Sequence, residues 1–525
     1  LLNLDGAFNP GPFVVEWVGS YDQGRDRPWH RGDISAVFDE PSNAWRTRLG
    51  DLSYPTTGFQ SFVAAGGLTF AKNFDLQPYR VTQPTVRGSF FLVQESKVEV
   101  LVNNVVVRTF RLQPGPYDIR DFPLSSGIND AKLRITDPTG QVQVLDYPSV
   151  VDSSMLAQGE HEFSYSLGLP STTVNGWRRY DGATAALSVF HRFGFTDQLT
   201  LGANFQGNRL QQMAGVEGVW ATALGVFDMD LAWSRVDSHG NAMAARVGFR
   251  REDRTMSRDW QRVWGLSAEF KGRDFAPLGT LSPDNGTSLD LSARVSQQFP
   301  YNVSVGLGTS YQIGRHGQRN ADSQNVFVSK AWTTGITANL NLDRRRMTTG
   351  EVDLTMFLSL DVPLYDGGQK LTTTHDTNSR STRAQWERRA PTAVGGLDAE
   401  VVLERDSDSR EVSGELDYRG TRGRATLSHD IARPRNSGDI GIHDRRTTLR
   451  LESALVFAKG RFAIGRTVTD SFALLAPHPT LEGQTIGVNP IEDTDYLARI
   501  DTLGNAALPE LGSYRVSNVS IDAPD

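Results

Sequence analysis

The segment Val352–Leu364 reads Val-Asp-Leu-Thr-Met-Phe-Leu-Ser-Leu-Asp-Val-Pro-Leu, and its alternation decides the fold class. Every second side chain is apolar, and the positions between them carry mainly Asp, Thr and Ser, with Phe357 and Pro363 as the exceptions. A period of two with one apolar face is typical of a β-strand and not of a helix. The same alternation recurs in Leu289–Val295, Tyr301–Ile313, Ile336–Leu342 and Leu449–Leu455.

The length of these segments raises the question of what covers their apolar face. Several exceed the usual soluble strand of about 5 or 6 residues and match the roughly 10-residue tilted strand of an outer-membrane barrel. Aromatic residues such as Phe299, Tyr311 and Trp233 lie near segment ends, where they would form interfacial girdles in a membrane or fill the core of a soluble sandwich. No helix-period segment is present to cover the apolar side, so we favour lipid over a second protein layer.

Composition excludes several classes of protein. The chain has 525 residues, 22% of them charged and 38% hydrophobic, which is atypical of a coiled coil or a helical membrane bundle. The absence of cysteine excludes disulfide scaffolds and thiolate zinc sites. A net charge of −7 provides no basic field for nucleic acid. The first residue is Leu1, so either a signal peptide was removed or the chain begins inside a longer protein.

Residues 84–148 interrupt the long strands with a compact, turn-rich stretch. It contains at least five short strand patterns punctuated by Pro and Gly, which predicts a small β-sandwich bounded by Pro84 and Pro148. Long-strand patterns lie on both sides, so we expect an insertion within the sheet rather than a terminal domain.

Several separated motifs resemble the fimbrial outer-membrane usher family of the chaperone–usher pathway. Trp45–Leu52 reads WRTRLGDL, where the family has Arg-x-Leu-Gly-Asp, and Pro114–Asp121 reads PGPYDIRD, where the family has Pro-Gly-Pro-Phe-x-Ile-x-Asp. Glu162–Gly168 and Phe195–Gly202 are similar to the strands that follow the family's plug. Asp501–Tyr514 resembles a family pattern near the end of the pore.

The resemblance implies an all-β fold, a transmembrane antiparallel barrel of about 24 strands with a β-sandwich plug. It also implies a role in the outer membrane of a Gram-negative bacterium. Ushers receive periplasmic chaperone–pilus subunit complexes, polymerise the subunits by donor-strand exchange and secrete the fibre through the pore, in contact with outer-membrane lipid and in some cases as dimers. The exchange is a form of β-augmentation and needs no nucleotide or other cofactor.

The resemblance divides the chain into three parts. Residues 1–83 would form the first barrel strands after a lead-in at 1–11, residues 84–148 the plug, and residues 149–525 the rest of the barrel. The family's periplasmic N-terminal domain and two C-terminal domains would lie largely outside this chain, and Ile500 stands where the family usually has Thr.

The plug is expected to act as a gate, because a barrel of this size encloses a lumen wide enough to leak solutes. The candidate gating residues are Pro84, Asp118, Asp121 and Pro148. Three arginine clusters, at 250–251, 344–346 and 388–389, have two interpretations. They either anchor the barrel at lipid headgroups, which we favour, or pair with plug acids such as Asp118 and Asp121.

Catalytic and metal-binding patterns do not favour an enzyme. His161-Glu162 lacks the second histidine of a His-Glu-x-x-His zinc motif. Asp406 and Asp408 are spaced like calcium-loop ligands, but the loop's Gly and closing Glu are missing. Two alternative functions remain, a plugged solute porin or transporter and a soluble β-rich adhesin. A detergent requirement would argue against the adhesin, and the internal position of the insert argues against known plugged transporters.

Overall fold

The computed structural model describes residues 1–84, 88–92, 96–102, 105–112, 115–119, 127–136, 142–151, 154–254, 261–315, 317–347, 349–364, 368–434, 444–481, 483–492 and 495–522. Within these ranges the regular structure is β-strand and three single-turn 3-10 helices, at Phe74–Leu76, Pro300–Asn302 and Pro479–Leu481. In the same ranges, no helix has the length and hydrophobicity needed to cross a bilayer.

Most strands belong to one large sheet. Those before the insert are β1 (Leu2–Phe8), β2 (Val14–Tyr21), β3 (Trp29–Glu40), β4 (Trp45–Leu52) and β5 (Ala65–Lys72). Those of the insert are β6 (Gly88–Leu92), β7 (Ser96–Val102), β8 (Val105–Leu112), β9 (Gly115–Ile119), β10 (Gly127–Thr136) and β11 (Val142–Val151).

The strands after the insert continue the sheet. They are β12 (His161–Val174), β13 (Trp177–Tyr180), β14 (Ala186–Thr196), β15 (Leu199–Gly207), β16 (Gln211–Thr222), β17 (Gly225–Val236), β18 (Gly240–Arg254), β19 (Gln261–Lys271), β20 (Thr287–Phe299), β21 (Val303–Gly314), β22 (Ala321–Ala331), β23 (Thr337–Arg346), β24 (Val352–Leu364), β25 (Gln369–Asp376), β26 (Ser381–Arg388), β27 (Leu397–Arg405), β28 (Ser409–Arg419), β29 (Arg424–Pro434) and β30 (Asp444–Glu452).

Among the described residues, 24 strands pair in this sheet, namely β1–β5 and β12–β30. Most of the expected lead-in at 1–11 is a strand of the large sheet, which we call the wall, because Leu2 to Phe8 pair antiparallel with Tyr21 to Val15. Strand β5 pairs directly with β12, so the insert leaves the sheet between two neighbouring strands without interrupting the hydrogen-bond ladder.

The chain divides into two compact units. The first comprises Leu1–Pro300, Val305–Asn325 and Arg345–Asp353, and the second comprises Tyr301–Ser304, Val326–Arg344 and Leu354–Asp525. The first unit contains the insert and the polar surface described below. The second contains β25–β30 and the strands that follow them.

The two faces of the first unit's sheet are reversed relative to a soluble protein. On β16 and β17 the apolar face is open, with Trp220 56% exposed and Leu231 39% exposed. The opposite face buries polar side chains, with Gln206 and Ser234 both 0% exposed. A soluble sheet buries its apolar face. The reversed pattern is that of a membrane barrel, whose outward band is apolar and whose interior is polar.

The Arg-x-Leu-Gly-Asp motif places a buried carboxylate, Asp51, between strands near the start of the chain. Asp51 is 1% exposed, and its Oδ2 accepts hydrogen bonds from Arg31 Nη2 (2.7 Å) and from the backbone N of Ile34 (2.8 Å). Its Oδ1 accepts from Tyr180 Oη at 2.6 Å, which ties β13 to β3 and β4. Gly50 has φ of 118°, and a Cβ there would clash with the carbonyl oxygen of Ile34. The motif is therefore a structural lock.

The insert contains two sheets, one of β11, β10, β7 and β8 in that order and one of β6 and β9. Val98 of β7 and Leu133 and Ile135 of β10 are buried, and these two strands pair in the first sheet. Pro148 lies opposite Asp130 within β11, which continues to Val151, so it does not mark the end of the insert as expected. Proline is tolerated there because β11 is an edge strand.

The large sheet ends at Glu452, earlier than the residue 525 expected from the sequence. The following residues form a separate C-terminal module with its own core, in which Val488, Ala506 and Leu508 are at most 1% exposed. Its strands are β31 (Ala454–Ala458), β32 (Arg461–Gly465), β33 (Ser471–Leu475), β34 (Ile486–Glu492), β35 (Asp495–Ile500), β36 (Ala506–Leu511) and β37 (Ile521–Asp522). They are short strands that contribute buried apolar side chains to this core, and β31 and β32 also carry exposed apolar side chains such as Leu455 and Phe462.

Arg422, in the turn between β28 and β29, joins the C-terminal module to the second unit's sheet. Its Nη2 donates to Asp501 Oδ1 (2.5 Å) and to the carbonyl oxygen of Gly504 (3.1 Å), and its Nη1 donates to the carbonyls of Ile464 and Asn505. Asp501 and Gly504, which belong to the Asp501–Tyr514 motif, therefore both contact Arg422.

We expect Asp51→Ala to destabilise the sheet, because Arg31 and Tyr180 would lose their buried partner. Removing one member of a buried pair costs about 3–5 kcal/mol, and Arg31 retains partial contact with water, so the lower end applies. The protein is reconstituted in lipid and titrated with urea. The measurement is the urea concentration at which half of it has lost the heat-modifiable gel mobility of the folded barrel. Asp33→Ala is the matched control, because the side chain of Asp33 is 53% exposed. Equal midpoints for the two variants would contradict the lock.

Candidate functional site

The polar face of β12–β20 carries a cross-strand row of charged side chains. Successive residues of the row lie opposite one another in the strand register, apart from Gly202, which separates Arg192 from Glu217. The row consists of Glu162, Arg192, Glu217, Asp230, Arg246, Glu269 and Asp290. Five of these seven side chains are acidic, so the row has an excess of negative charge.

Short contacts link the members of this charged row. Arg192 pairs with Glu162 (2.5 Å) and with Glu217 (2.7 Å), and Arg246 lies 3.6 Å from Asp230 and 2.5 Å from Glu269. Such pairs are screened less than surface pairs, because several of the side chains are largely withdrawn from water. The arginines thereby hold neighbouring acids on one surface that would otherwise repel one another.

Two segments that connect wall strands fold over this polar face. The first inward segment, residues 53–64, connects β4 to β5, and the second inward segment, residues 272–286, connects β19 to β20. Phe59 of the first meets Phe275 of the second edge-to-face at 5.4 Å. Both rings pack on Met213, which is completely buried, in a small apolar cluster on the otherwise polar face.

Two buried glutamines hold the inward segments by their backbones. Gln206 Nε2 donates to the carbonyl of Ser61 at 2.6 Å, and its Oε1 accepts from Ser61 N at 3.1 Å. Gln211 Nε2 donates to the carbonyls of Pro277 (2.5 Å) and Thr280 (3.1 Å), and its Oε1 accepts from Gly279 N at 3.0 Å. Each side-chain amide satisfies donors and acceptors that would otherwise be buried without partners.

A polar cavity of about 600 Å³ lies beside the first inward segment. Its lining includes Thr57, Arg192, Glu217, Asp230 and Arg294. Thr57 Oγ1 donates to Glu217 Oε2 at 2.5 Å, so the inward segment and the charged row form one continuous surface.

The two chain segments that lead into and out of the insert, residues 77–84 and 154–160, form a neck. Arg80 and Glu160 make a double contact across it, with Nη2 at 2.7 and 2.8 Å from the two carboxylate oxygens. Ala157 N donates to the carbonyl of Thr82 at 2.9 Å. Met155 is 1% exposed and packs against Val219 and Val226 of the wall. The two segments of the neck are therefore bound to each other, and Met155 attaches the neck to the polar face.

The insert lies against the same part of the wall. Strand β10 contacts β17 and β18, and β11 contacts β16. Of the predicted gating residues, Pro84 is buried at the neck, and Asp118 and Pro148 lie in β9 and β11. Asp121 lies outside the described residues. The role of these four residues in gating stays a prediction.

The arginine clusters make wall contacts. Arg346 pairs with Asp322, Arg251 with Asp253 at 2.7 Å, and Arg389 with Glu387 at 3.2 Å. Each of these pairs joins one arginine of a cluster to an acid of the large sheet, and contact of the clusters with lipid headgroups stays a prediction.

The motifs that were rejected as metal or catalytic sites have structural roles. Asp406 Oδ1 accepts hydrogen bonds from the backbone N of Asp408 and of Ser409, which shapes the turn before β28 and lowers the pKa of Asp406. His161 Nδ1 lies 2.9 Å from His191 Nε2, and Glu162 is part of the charged row.

Comparison with known proteins identifies relatives along the whole chain. The family model described as "Outer membrane usher protein" matches residues 1–525. The outer membrane usher protein FimC of Bordetella pertussis is 26% identical over 404 residues, which is 69% of this chain and 44% of that protein. LpfC of Salmonella typhimurium, also an outer membrane usher protein, is 21% identical over 99% of this chain and 61% of its own length. The chain thus spans less than two thirds of these relatives.

A solved structure shares the fold. The structure titled "Cryo-EM structure of E. coli P pilus tip assembly intermediate PapC-PapD-PapK-PapG in the second conformation" contains a chain that matches 99% of this one with a TM-score of 0.72. The match covers 65% of that chain at 14% identity. Together with the 24-stranded antiparallel sheet and its exposed apolar face, it confirms the predicted all-β barrel fold with an inserted β domain.

We expect Gln211→Ala to release the second inward segment. Because the chain has no cysteine, Leu278→Cys provides a unique probe at a site that is 3% exposed. The thiol of this variant should react slowly with a water-soluble maleimide, and much faster once Gln211 is also replaced by Ala. Gln212→Ala, whose side chain lies on the opposite face, is the control. An unchanged rate with Gln211→Ala would refute the anchoring role.

Proposed function

The chain belongs to the outer membrane usher family, and from that premise we propose that it is the pore of a pilus-assembly usher. In this proposal the apolar face contacts outer-membrane lipid and the polar face lines the lumen. Chaperone-delivered pilus subunits polymerise by donor-strand exchange at the periplasmic side, and the fibre passes through the pore.

One observation carries the proposal. A single antiparallel sheet exposes its apolar face and buries its polar face, while an inserted β domain leaves the sheet between β5 and β12 and contacts β16, β17 and β18. The reversed faces support a channel through lipid rather than a soluble adhesin. The likeness to a chain in a pilus-tip assembly intermediate supports pilus subunits and their chaperone as the partners, rather than small solutes.

The role needs no catalytic residue, because donor-strand exchange replaces one set of backbone hydrogen bonds by another. The free energy comes from the better strand complementation that each subunit provides to the next. The contribution of the pore is to bring successive subunits together and to provide a passage with polar walls.

We propose that the insert, which begins after Pro84 and ends with β11 at Val151, is a plug that closes the lumen when no fibre passes. Its contacts with β16–β18 and the fastened neck support a resting position on the polar face. The first and second inward segments occupy the same surface and would narrow the passage further.

Deletion of residues 84–151 should leave a folded barrel with a large and steady conductance in planar bilayers, since the insert then no longer fills the lumen. Heat-modifiable gel mobility serves as the control for folding. Unchanged low conductance in a folded barrel would count against gating by the insert.

Reversal of the neck pair should open the pore intermittently. Arg80→Glu places two acids across the neck, and we expect more frequent and longer current openings than in the unmodified chain. The double variant Arg80→Glu with Glu160→Arg restores opposite charges and should restore the closed baseline. If the single and double variants behave alike, the neck pair does not hold the plug.

A further inference from the structure

The first hairpin of the C-terminal module has an uncovered apolar face. Strands β31 and β32 pair with Leu455 opposite Ile464 and Phe457 opposite Phe462. These four side chains are between 46% and 74% exposed. Contiguous exposed apolar side chains of this size are unusual on a water-facing surface and mark a surface that contacts a partner or a membrane.

The other face of the hairpin is buried against the rest of the C-terminal module. Val456 and Ala463 are at most 4% exposed and pack on Ala507 of β36. Gly465 approaches Ala507 so closely that a Cβ at this position would lie 2.7 Å from the Ala507 Cβ. The hairpin therefore cannot rotate to bury its outer face in the module.

The outer face continues the apolar stripe of β30. Only Ser453 separates β30 from β31, and the exposed apolar positions keep the same parity through Leu449, Leu451, Leu455 and Phe457. In the strand register Leu451 lies opposite Ala425, and Ala425 lies opposite Tyr418. Tyr418 is exposed, and aromatic residues of this kind mark the membrane–water interface of a barrel. The hairpin thus starts at the level where the hydrocarbon ends.

The base of the hairpin is held at that level by the sheet. Arg422 donates to the carbonyl of Ile464 at 3.2 Å, and Ser453 Oγ donates to the carbonyl of Arg422 at 2.8 Å and lies 3.3 Å from the carbonyl oxygen of Gly465. The tip is a tight turn in which Lys459 and Gly460 both have positive φ, as a two-residue type I′ turn requires.

The tip also has the charge that a lipid headgroup layer attracts. Lys459 and Arg461 are exposed and flank the Phe457–Phe462 pair. Basic residues beside aromatic and aliphatic ones are typical of segments that lie in the interface, with the apolar face among acyl chains and the cations at phosphates.

We propose that β31–β32 is an interfacial hairpin that inserts its apolar face into the membrane leaflet nearest the C-terminal module. It would anchor that module beside the mouth of the barrel, in addition to the Arg422 contact. A lipid surface is favoured over a protein partner because the exposed stripe is continuous with the lipid-facing wall and ends in cations. The proposal rests on the membrane placement of the wall, but not on what the pore transports.

The absence of native cysteine allows a direct test with single spin labels on the full chain in vesicles of phosphatidylethanolamine and phosphatidylglycerol. Labels at Phe457→Cys and Phe462→Cys test the hairpin. Leu449→Cys on β30 is the lipid reference. Val516→Cys is the water reference, because it is an apolar residue of the same module that is 82% exposed. The readout is the ratio of collisions with oxygen, which enters lipid, to collisions with a nickel chelate, which stays in water.

The expected ratio at both hairpin positions is close to that at Leu449 and several-fold above that at Val516. Hairpin ratios equal to the Val516 ratio, with Leu449 in lipid, would overturn the proposal and leave the pore assignment intact. A water-like ratio at Leu449 itself would overturn the membrane wall and the hairpin anchor together. Replacing Lys459 and Arg461 by Glu should lower the Phe457 ratio in these anionic vesicles, and no change would refute the contribution of the tip charges.

Discussion

The structure depends on the way its large sheet distributes side chains: the apolar face is exposed and the polar face is buried, the reverse of a soluble protein. In hydrocarbon, each backbone amide and carbonyl must find its partner within the protein, and a continuous antiparallel ladder meets that requirement. The register across β14–β19 contains a single irregularity, between Gly194 and Thr196. Lipid then covers side chains such as Trp220 and Leu231, so no second protein layer is needed on that side.

The same requirement determines how a separate domain can be inserted. Strands β5 and β12 pair as if nothing lay between them, so the insert leaves the wall without exposing unpaired backbone to lipid. Its described attachments lie at the neck and along β16, β17 and β18. The Arg80–Glu160 contact and the packing of Met155 fasten the neck, and β10 and β11 lie along the wall.

The polar face combines firm and adjustable contacts. Gln206 and Gln211 bind two inward segments through backbone hydrogen bonds, and the Phe59–Phe275 pair supplies a small apolar cluster. The charged row beside them has more acids than bases, and its arginines hold neighbouring carboxylates in place. Charge-based contacts weaken with ionic strength where water reaches them, whereas the amide contacts do not, so the two kinds of contact respond differently to salt.

The sequence by itself determined the class of fold, because a period of two, as in Val352–Leu364, is a local property of one strand. It also predicted an insert at residues 84–148, and the Arg-x-Leu-Gly-Asp motif pointed to the family. Only the tertiary structure decided that Asp51 is a buried lock, that Glu162 through Asp290 form one row, and that Gln206 and Gln211 hold the inward segments. Each of these depends on register between strands that are distant in sequence. The end of the sheet at Glu452 was missed because Leu449–Leu455 alternates without a break, and alternation does not reveal which neighbour a strand pairs with.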